Sequence, residues 1–68
     1  MQLAEFTGPD GSPLFINPRS INAIYLDPTF KTRDGQRMTC IELRSGTPIF
    51  VQEDVETVRN AIDSIGQE

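Results

Sequence analysis

The stretch CIELRSGTPIFVQEDVETV, residues 40 to 58, contains the two patterns that decide the fold. Its first part alternates apolar and polar residues, as in IELR at positions 41 to 44, and this alternation places successive side chains on opposite faces of a strand. SGTP, residues 45 to 48, is a turn signal between two such strands. After Glu53 the apolar residues recur every three or four positions instead. The stretch therefore predicts a β-hairpin followed by a helix.

The predicted helix covers about residues 54 to 65. Its apolar residues share one stripe of the helix surface, which is typical of a helix that covers one face of a sheet: Val55, Val58, Ala61, Ile62 and Ile65. Asp54 is the expected N-cap, because its carboxylate can accept hydrogen bonds from the free amides of the first turn. Gly66 is expected to end the helix.

Upstream of this stretch, turn signals divide the chain into further short apolar segments. The turns are GPDGSP at 8 to 13, NPRS at 17 to 20 and DPTFKTRDGQR at 27 to 37. Strands are expected near residues 2–7, 14–17, 21–27, 38–44 and 48–52, and the short connections favour an antiparallel meander. The sequence thus predicts one α+β domain over residues 1–68, with four to five strands and one C-terminal amphipathic helix. Closure of the meander into a partial barrel is an open alternative.

Four residues at turns or at the helix cap are interpreted as structural. In LFINPRSINAIYLDP, residues 14 to 28, Asn17 and Pro18 interrupt an apolar run, because proline cannot donate to a ladder and asparagine can bond nearby amides. Gly46 supplies the flexible position of the SGTP turn. Together with Asp54, these residues form the predicted structural motif.

Composition argues against a catalytic or cofactor site. The 68 residues carry a net charge of −4, one cysteine and no histidine, so neither a disulfide within the chain nor the usual zinc site can form. Neither GxGxxG nor GxxxxGK[ST] occurs. We therefore expect a non-enzyme with no catalytic residue, metal ligand or cofactor. The absence of a signal peptide pattern and of a long apolar run favours the cytoplasm over a membrane.

Two segments together resemble a known family. TGPDGSPLFINPRSINAI, residues 7 to 24, and CIELRSGTPIFVQEDVETV are similar to the small flagellar proteins of the FlbD/SwrD family. The matching positions are Asn17, Pro18 and Ile21 at the corner, Gly46 at the turn, and Val51 and Glu53 before the helix. Asp54 stands where the family usually has serine, and TFKTRDGQRM, residues 29 to 38, is longer than the family's connection there. The resemblance implies a cytoplasmic accessory protein that acts through contacts with a partner.

The alternation also divides the strand residues between two faces. One set is expected to face the helix: Ile16, Ile24, Leu26, Ile41, Leu43, Ile49 and Val51. The other set is the candidate interface, because it is too apolar for a plain solvated face: Phe15, Tyr25, Cys40 and Phe50. The leading hypothesis is a protein-interaction module that forms a homodimer or binds one partner protein. Burial of this second set inside a closed barrel is the alternative.

Two other functions are weaker hypotheses. A nucleic-acid binder would use an aromatic and basic loop for stacking and phosphate contacts: Phe30, Lys31, Arg33 and Arg37. The negative net charge disfavours both nucleic acid and an anionic membrane as partners. A structural subunit of a larger flagellar or phage assembly would use the same apolar face as the interaction module.

Overall fold

The computed structural model describes residues 2–31 and 34–66. Five strands precede one helix: β1 (Ala4–Thr7), β2 (Pro13–Ile16), β3 (Ile21–Lys31), β4 (Arg37–Leu43), β5 (Pro48–Val51) and α1 (Val55–Gly66). All strand pairs are antiparallel, so the α+β class predicted from the sequence is confirmed. β3 ends four residues later than predicted, and Arg33 lies outside the described residues.

The strands form two sheets, which corrects the single meander expected from the short connections. β1 pairs with β2 in one sheet, and β3, β4 and β5 form the other in that order. Within the described residues no ladder joins β2 to β3, so the strands do not close into a barrel. The physical reason is the corner between β2 and β3, which turns the chain out of the first sheet.

This corner is a short 3₁₀ helix, Pro18–Ser20, capped by Asn17. The Asn17 side chain accepts a hydrogen bond from the Arg19 amide at 3.0 Å, and the Ser20 amide donates to the Asn17 carbonyl at 2.9 Å. Proline fits the first helical position because its missing amide would have no partner there. The Ser20 carbonyl then accepts from the Arg44 amide at 2.8 Å, which attaches the corner to the end of β4.

The two sheets are joined where β1 ends and β5 continues toward the helix. The Gln52 amide donates to the Thr7 carbonyl at 2.8 Å. The Glu53 carboxylate accepts from the Thr7 amide at 2.9 Å and from the Thr7 hydroxyl at 2.9 Å. The Thr39 hydroxyl donates to the Glu53 carbonyl at 2.6 Å. Glu53 therefore contacts both sheets immediately before the chain enters the helix.

The helix begins after Asp54, whose carboxylate accepts a hydrogen bond from the Thr57 amide at 2.7 Å. Hydrogen bonds from the Thr57 side chain first and its amide second lower the pKa of Asp54, because they favour the charged carboxylate. The helix ends at Gly66. At the β4–β5 turn, Gly46 has φ of +93°, a conformation that a residue with a Cβ rarely adopts.

The hydrophobic core lies between the two sheets and the helix. Its buried members come from both sheets and from α1: Ala4, Phe6, Ile16, Ile41, Val51 and Val58. Partly buried side chains complete it: Leu14, Ile21, Ile24, Leu43, Ile49, Ala61, Ile62 and Ile65. Six of the seven strand residues predicted to face the helix belong to this core. Leu26 does not, being 44% exposed, because the β3–β4 ladder breaks directly after it.

Candidate protein-interaction surface

Three of the predicted interface residues lie in one row across the three-stranded sheet. Tyr25 on β3 is opposite Cys40 on β4, which is opposite Phe50 on β5. Side chains at directly opposite positions point to the same face, and the neighbouring row through Ile41 points into the core. The row Tyr25–Cys40–Phe50 therefore faces away from the helix. We call this side of the sheet the outer face.

Phe30 also reaches the outer face. Its ring stacks on that of Phe50, with the ring centroids 4.6 Å apart and the planes inclined by 11°. Rings at this separation attract each other beyond the effect of area burial alone. Phe30 was assigned from the sequence to a separate loop, so the structure moves it into the predicted interface.

Cys40 and Met38 are covered on the outer face. Cys40 is 1% exposed and Met38 is fully buried, yet neither belongs to the core on the helix side. They are two positions apart on β4, so their side chains share a face. The aromatic side chains on that face are Tyr25, Phe30 and Phe50. Cys40 was predicted to contribute to an exposed interface, and this is corrected, because its side chain lies beneath the surface.

Acidic side chains lie near Tyr25 at one end of the outer face, where Glu42 is two positions from Cys40 on β4. The pKa of the Tyr25 phenol is raised, first by hydrogen bonding with the Cys40 side chain and then by the charge of Cys40, burial, and the charges of Glu42 and Asp27. The tyrosine end of the face is therefore acidic in character. At the start of β4, Arg37 is the ladder partner of Lys31, but Arg37 is adjacent to Met38 and therefore points to the other face of the sheet.

Exposure identifies which groups a partner could touch. Tyr25 is 44% exposed and Phe30 is 41% exposed, whereas Phe50 is half-buried. Leu26 is also exposed, but it is adjacent to Tyr25 and points to the other face of the sheet. A surface with exposed aromatic rings has the composition that protein interfaces favour.

Phe15, the fourth predicted interface residue, lies in the other sheet. It is opposite Glu5 in the β1–β2 pair and is 60% exposed. Its neighbours in the ladder are therefore those of β1, and the register does not place it in the row through Cys40. The predicted set thus divides into an outer-face group and one separate exposed ring.

The predicted loop-contact residues also divide. Lys31 and Arg37 are cross-strand partners at the end of the β3–β4 hairpin, while Phe30 turns toward Phe50. Arg33 lies outside the described residues. One face of the Phe30 ring is occupied by Phe50, which leaves the opposite face for any base-stacking contact.

Two residues that position this surface were missed in the sequence. Met38 gives no distinct signal, because a methionine at the start of a strand fits either face. Asp27 does give one: Asp-Pro-Thr is typical of a turn in which the aspartate side chain bonds the backbone two residues on. Its carboxylate accepts from the Thr29 amide at 2.9 Å, and hydrogen bonding from that amide lowers the pKa of Asp27.

Comparison with known proteins leaves the family of this chain open. It matches no protein-family model, no curated protein and no solved structure. Within residues 2–31 and 34–66, no group of three or more histidine, cysteine or acidic side chains is arranged to hold a metal ion. In the same part of the chain, no helix has the length and apolarity that crossing a bilayer requires.

Proposed function

We propose that this protein is a small interaction module that binds protein through the outer face of its three-stranded sheet. The observation that carries the proposal is the aromatic surface itself: Tyr25, Phe30 and Phe50 lie together on a face that the helix does not cover. Tyr25 is 44% exposed and Phe30 is 41% exposed. Aromatic side chains supply much of the binding energy in protein interfaces because they bury large areas at a small entropic cost.

The partner we propose is a second copy of the chain. A 68-residue domain without disulfides buries a small core, and association adds apolar burial that the monomer lacks. A second copy of the chain would present the same aromatic surface, so the two outer faces could pack against each other as identical patches.

A flagellar accessory or regulatory role remains part of this proposal, on the strength of the resemblance to the FlbD/SwrD family. A structural subunit of a larger assembly would use the same face. Copurification from the source cell distinguishes these roles, because a regulator and an assembly subunit would be recovered with different proteins. Recovery of the chain with flagellar components, lost on Tyr25→Asp, is the expected result for the accessory role.

The experiment for the outer face is light scattering on wild type, Tyr25→Asp, Phe50→Asp and Phe15→Asp. We expect a homodimer for wild type and for Phe15→Asp, because Phe15 lies in the other sheet. Tyr25→Asp and Phe50→Asp should be monomers, since each introduces a charge into the apolar contact. Circular dichroism shows whether each variant is folded, and Tyr25→Asp is the safer variant because its side chain is more exposed.

A monomeric wild type at high concentration would contradict the homodimer proposal. If Phe15→Asp is the one variant of the three that is a monomer, the interface lies on the β1–β2 sheet instead. Binding of nucleic acid is a separate outcome, which two further substitutions test. Tight binding of single-stranded RNA at physiological salt, lost on Lys31→Ala with Arg37→Ala, would replace the protein-interaction proposal. We expect no such binding, because the chain carries a net charge of −4.

A further inference from the structure

The ladder between β3 and β4 is interrupted in the middle of the hairpin. Leu26 pairs with Thr39, and the next pair is Lys31 with Arg37. Between these pairs β3 advances five residues while β4 advances two, so β3 carries three extra residues. An insertion of this kind bends the strand and redirects the side chains that follow.

Asp27 holds the inserted residues in a defined turn. Its carboxylate accepts from the Thr29 amide at 2.9 Å, the Thr29 hydroxyl at 3.1 Å and the Phe30 amide at 3.3 Å. Pro28 has no amide to pair and fixes its own φ. The turn therefore sets the direction in which the chain leaves it, and the next side chain is that of Phe30.

Phe30 is placed by this turn directly over the outer face. Its ring lies on Phe50, and beneath this face Met38 and Cys40 are buried although the helix packs on the opposite side of the sheet. Phe30 itself is 41% exposed, so one part of its ring packs on Phe50 while another part faces solvent.

We propose that Phe30 is a lid on the outer face, and that it opens by movement of residues 27–30 about the Asp27 turn while the rest of the fold stays intact. Opening separates the two phenyl rings and exposes Met38 and Cys40 to solvent. The interruption of the ladder makes this movement local, because the chain between Leu26 and Lys31 has no ladder pairs to break. The lid is a property of the isolated chain and does not depend on the proposed function.

The reporter for opening is the thiol of Cys40, which is the single cysteine of the chain. We would measure its reaction with 5,5′-dithiobis(2-nitrobenzoic acid) under native conditions, in the absence of urea and at several low urea concentrations. Local opening exposes little surface and so gives a rate that is insensitive to urea, whereas global unfolding gives a steep increase. We expect a flat urea dependence for wild type.

Phe30→Ala should increase the labelling rate about tenfold. Wild type must break the Phe30–Phe50 stack to open, whereas the variant has no such stack to break. Leu26→Ala is the matched control, since Leu26 is equally exposed on the same strand but lies before the turn. It should leave the rate within about twofold of wild type. If Phe30→Ala is poorly folded, Phe30→Leu keeps an apolar side chain without the stack, and a smaller increase in rate is expected.

Two results would overturn the proposal. A rate that rises steeply with urea from the lowest concentrations would show that Cys40 is reached only by global unfolding. Equal rates for Phe30→Ala, Phe30→Leu and Leu26→Ala would show that Phe30 does not cover the thiol. Repeating the measurement at several protein concentrations separates the lid from dimerisation, because protection by a dimer disappears on dilution and protection by Phe30 does not.

Discussion

The two faces of the three-stranded sheet are both buried along β4, but they are covered in different ways. On the core face Ile41 is covered by the helix and by the β1–β2 sheet. On the outer face Cys40 lies between Tyr25 and Phe50 in the ladder, and Phe30 stacks on Phe50 from the interrupted strand. Ile41 and Cys40 are thus equally buried, but Ile41 belongs to a core of many apolar side chains and Cys40 lies beside a few aromatic rings. Side chains of equal burial should therefore contribute unequally to stability.

The largest expected effect is on the core face. Ile41→Ala should lower the free energy of unfolding by about 2–5 kcal/mol, because it leaves a cavity among side chains from three elements. Urea melts measure the change. Cys40→Ala, at the adjacent position on the other face, should lower the free energy of unfolding by about 1 kcal/mol. An equal or larger loss for Cys40→Ala would show that the outer face is packed as extensively as the core.

Removal of the Asp54 helix cap should lower the free energy of unfolding by a smaller amount than Ile41→Ala does. Asp54→Ala removes the acceptor of the Thr57 amide and should lower the urea midpoint without changing the far-ultraviolet circular dichroism of the folded protein. Glu56→Ala is the matched control, because Glu56 is an acidic residue in the same first turn. A midpoint that falls as far for Glu56→Ala would mean that charge near the helix end matters and the capping bond does not.

Acid should weaken the turn that holds the outer-face cover. Hydrogen bonds lower the pKa of Asp27 in the folded protein, so its contribution to stability is complete above the ordinary aspartate pKa of about 3.9 and is lost as pH falls below that value. The difference in unfolding free energy between wild type and Asp27→Asn should therefore be constant from pH 7 to about 5 and should narrow toward pH 3. Urea melts at pH 7, 5 and 3 test this.

Asp10 and Asp54 also have lowered pKa values, so the wild type and Asp27→Asn should both lose stability in acid. The difference between them isolates Asp27. A difference that stays constant down to pH 3 would show that the Asp27 carboxylate does not stabilise the turn.

The smallest expected effect is at Leu26, where the strand leaves the core. Leu26→Ala should change the free energy of unfolding by no more than about 0.5 kcal/mol, because the side chain is exposed. A loss comparable with that of Ile41→Ala would place Leu26 in the core, as its position in the alternation of β3 had predicted.

Leu26 also shows where reading the sequence succeeds and fails. The spacing of apolar residues and the turn signals predicted the strands, the helix and the face of the sheet that packs into the core. Each of these features depends on residues near one another in the chain. The alternation of β3 was extended through Leu26 and stopped at Asp27, whereas the strand is interrupted there and continues to Lys31. The Asp-Pro-Thr turn signal was present but was interpreted as the end of the strand.

The separation into two sheets was missed for a related reason. Asn17 and Pro18 were recognised as a corner, but the angle of a corner depends on its contacts. The Ser20–Arg44 hydrogen bond that attaches it to β4 joins residues far apart in the sequence. The row Tyr25–Cys40–Phe50 was grouped correctly by alternation. Its cover by Phe30 depends on a stack between two strands, which no local pattern encodes.

The central claim is that Phe30 and Phe50 together cover the outer face, and a double-mutant cycle tests it most directly. Urea melts of wild type, Phe30→Ala, Phe50→Ala and the double variant give the interaction free energy between the two rings. The stack predicts a favourable coupling of about 0.5–1.5 kcal/mol, so the double variant should lose less stability than the two single losses added together. Strictly additive losses would contradict the account, because they would mean that the two rings do not stabilise each other in solution.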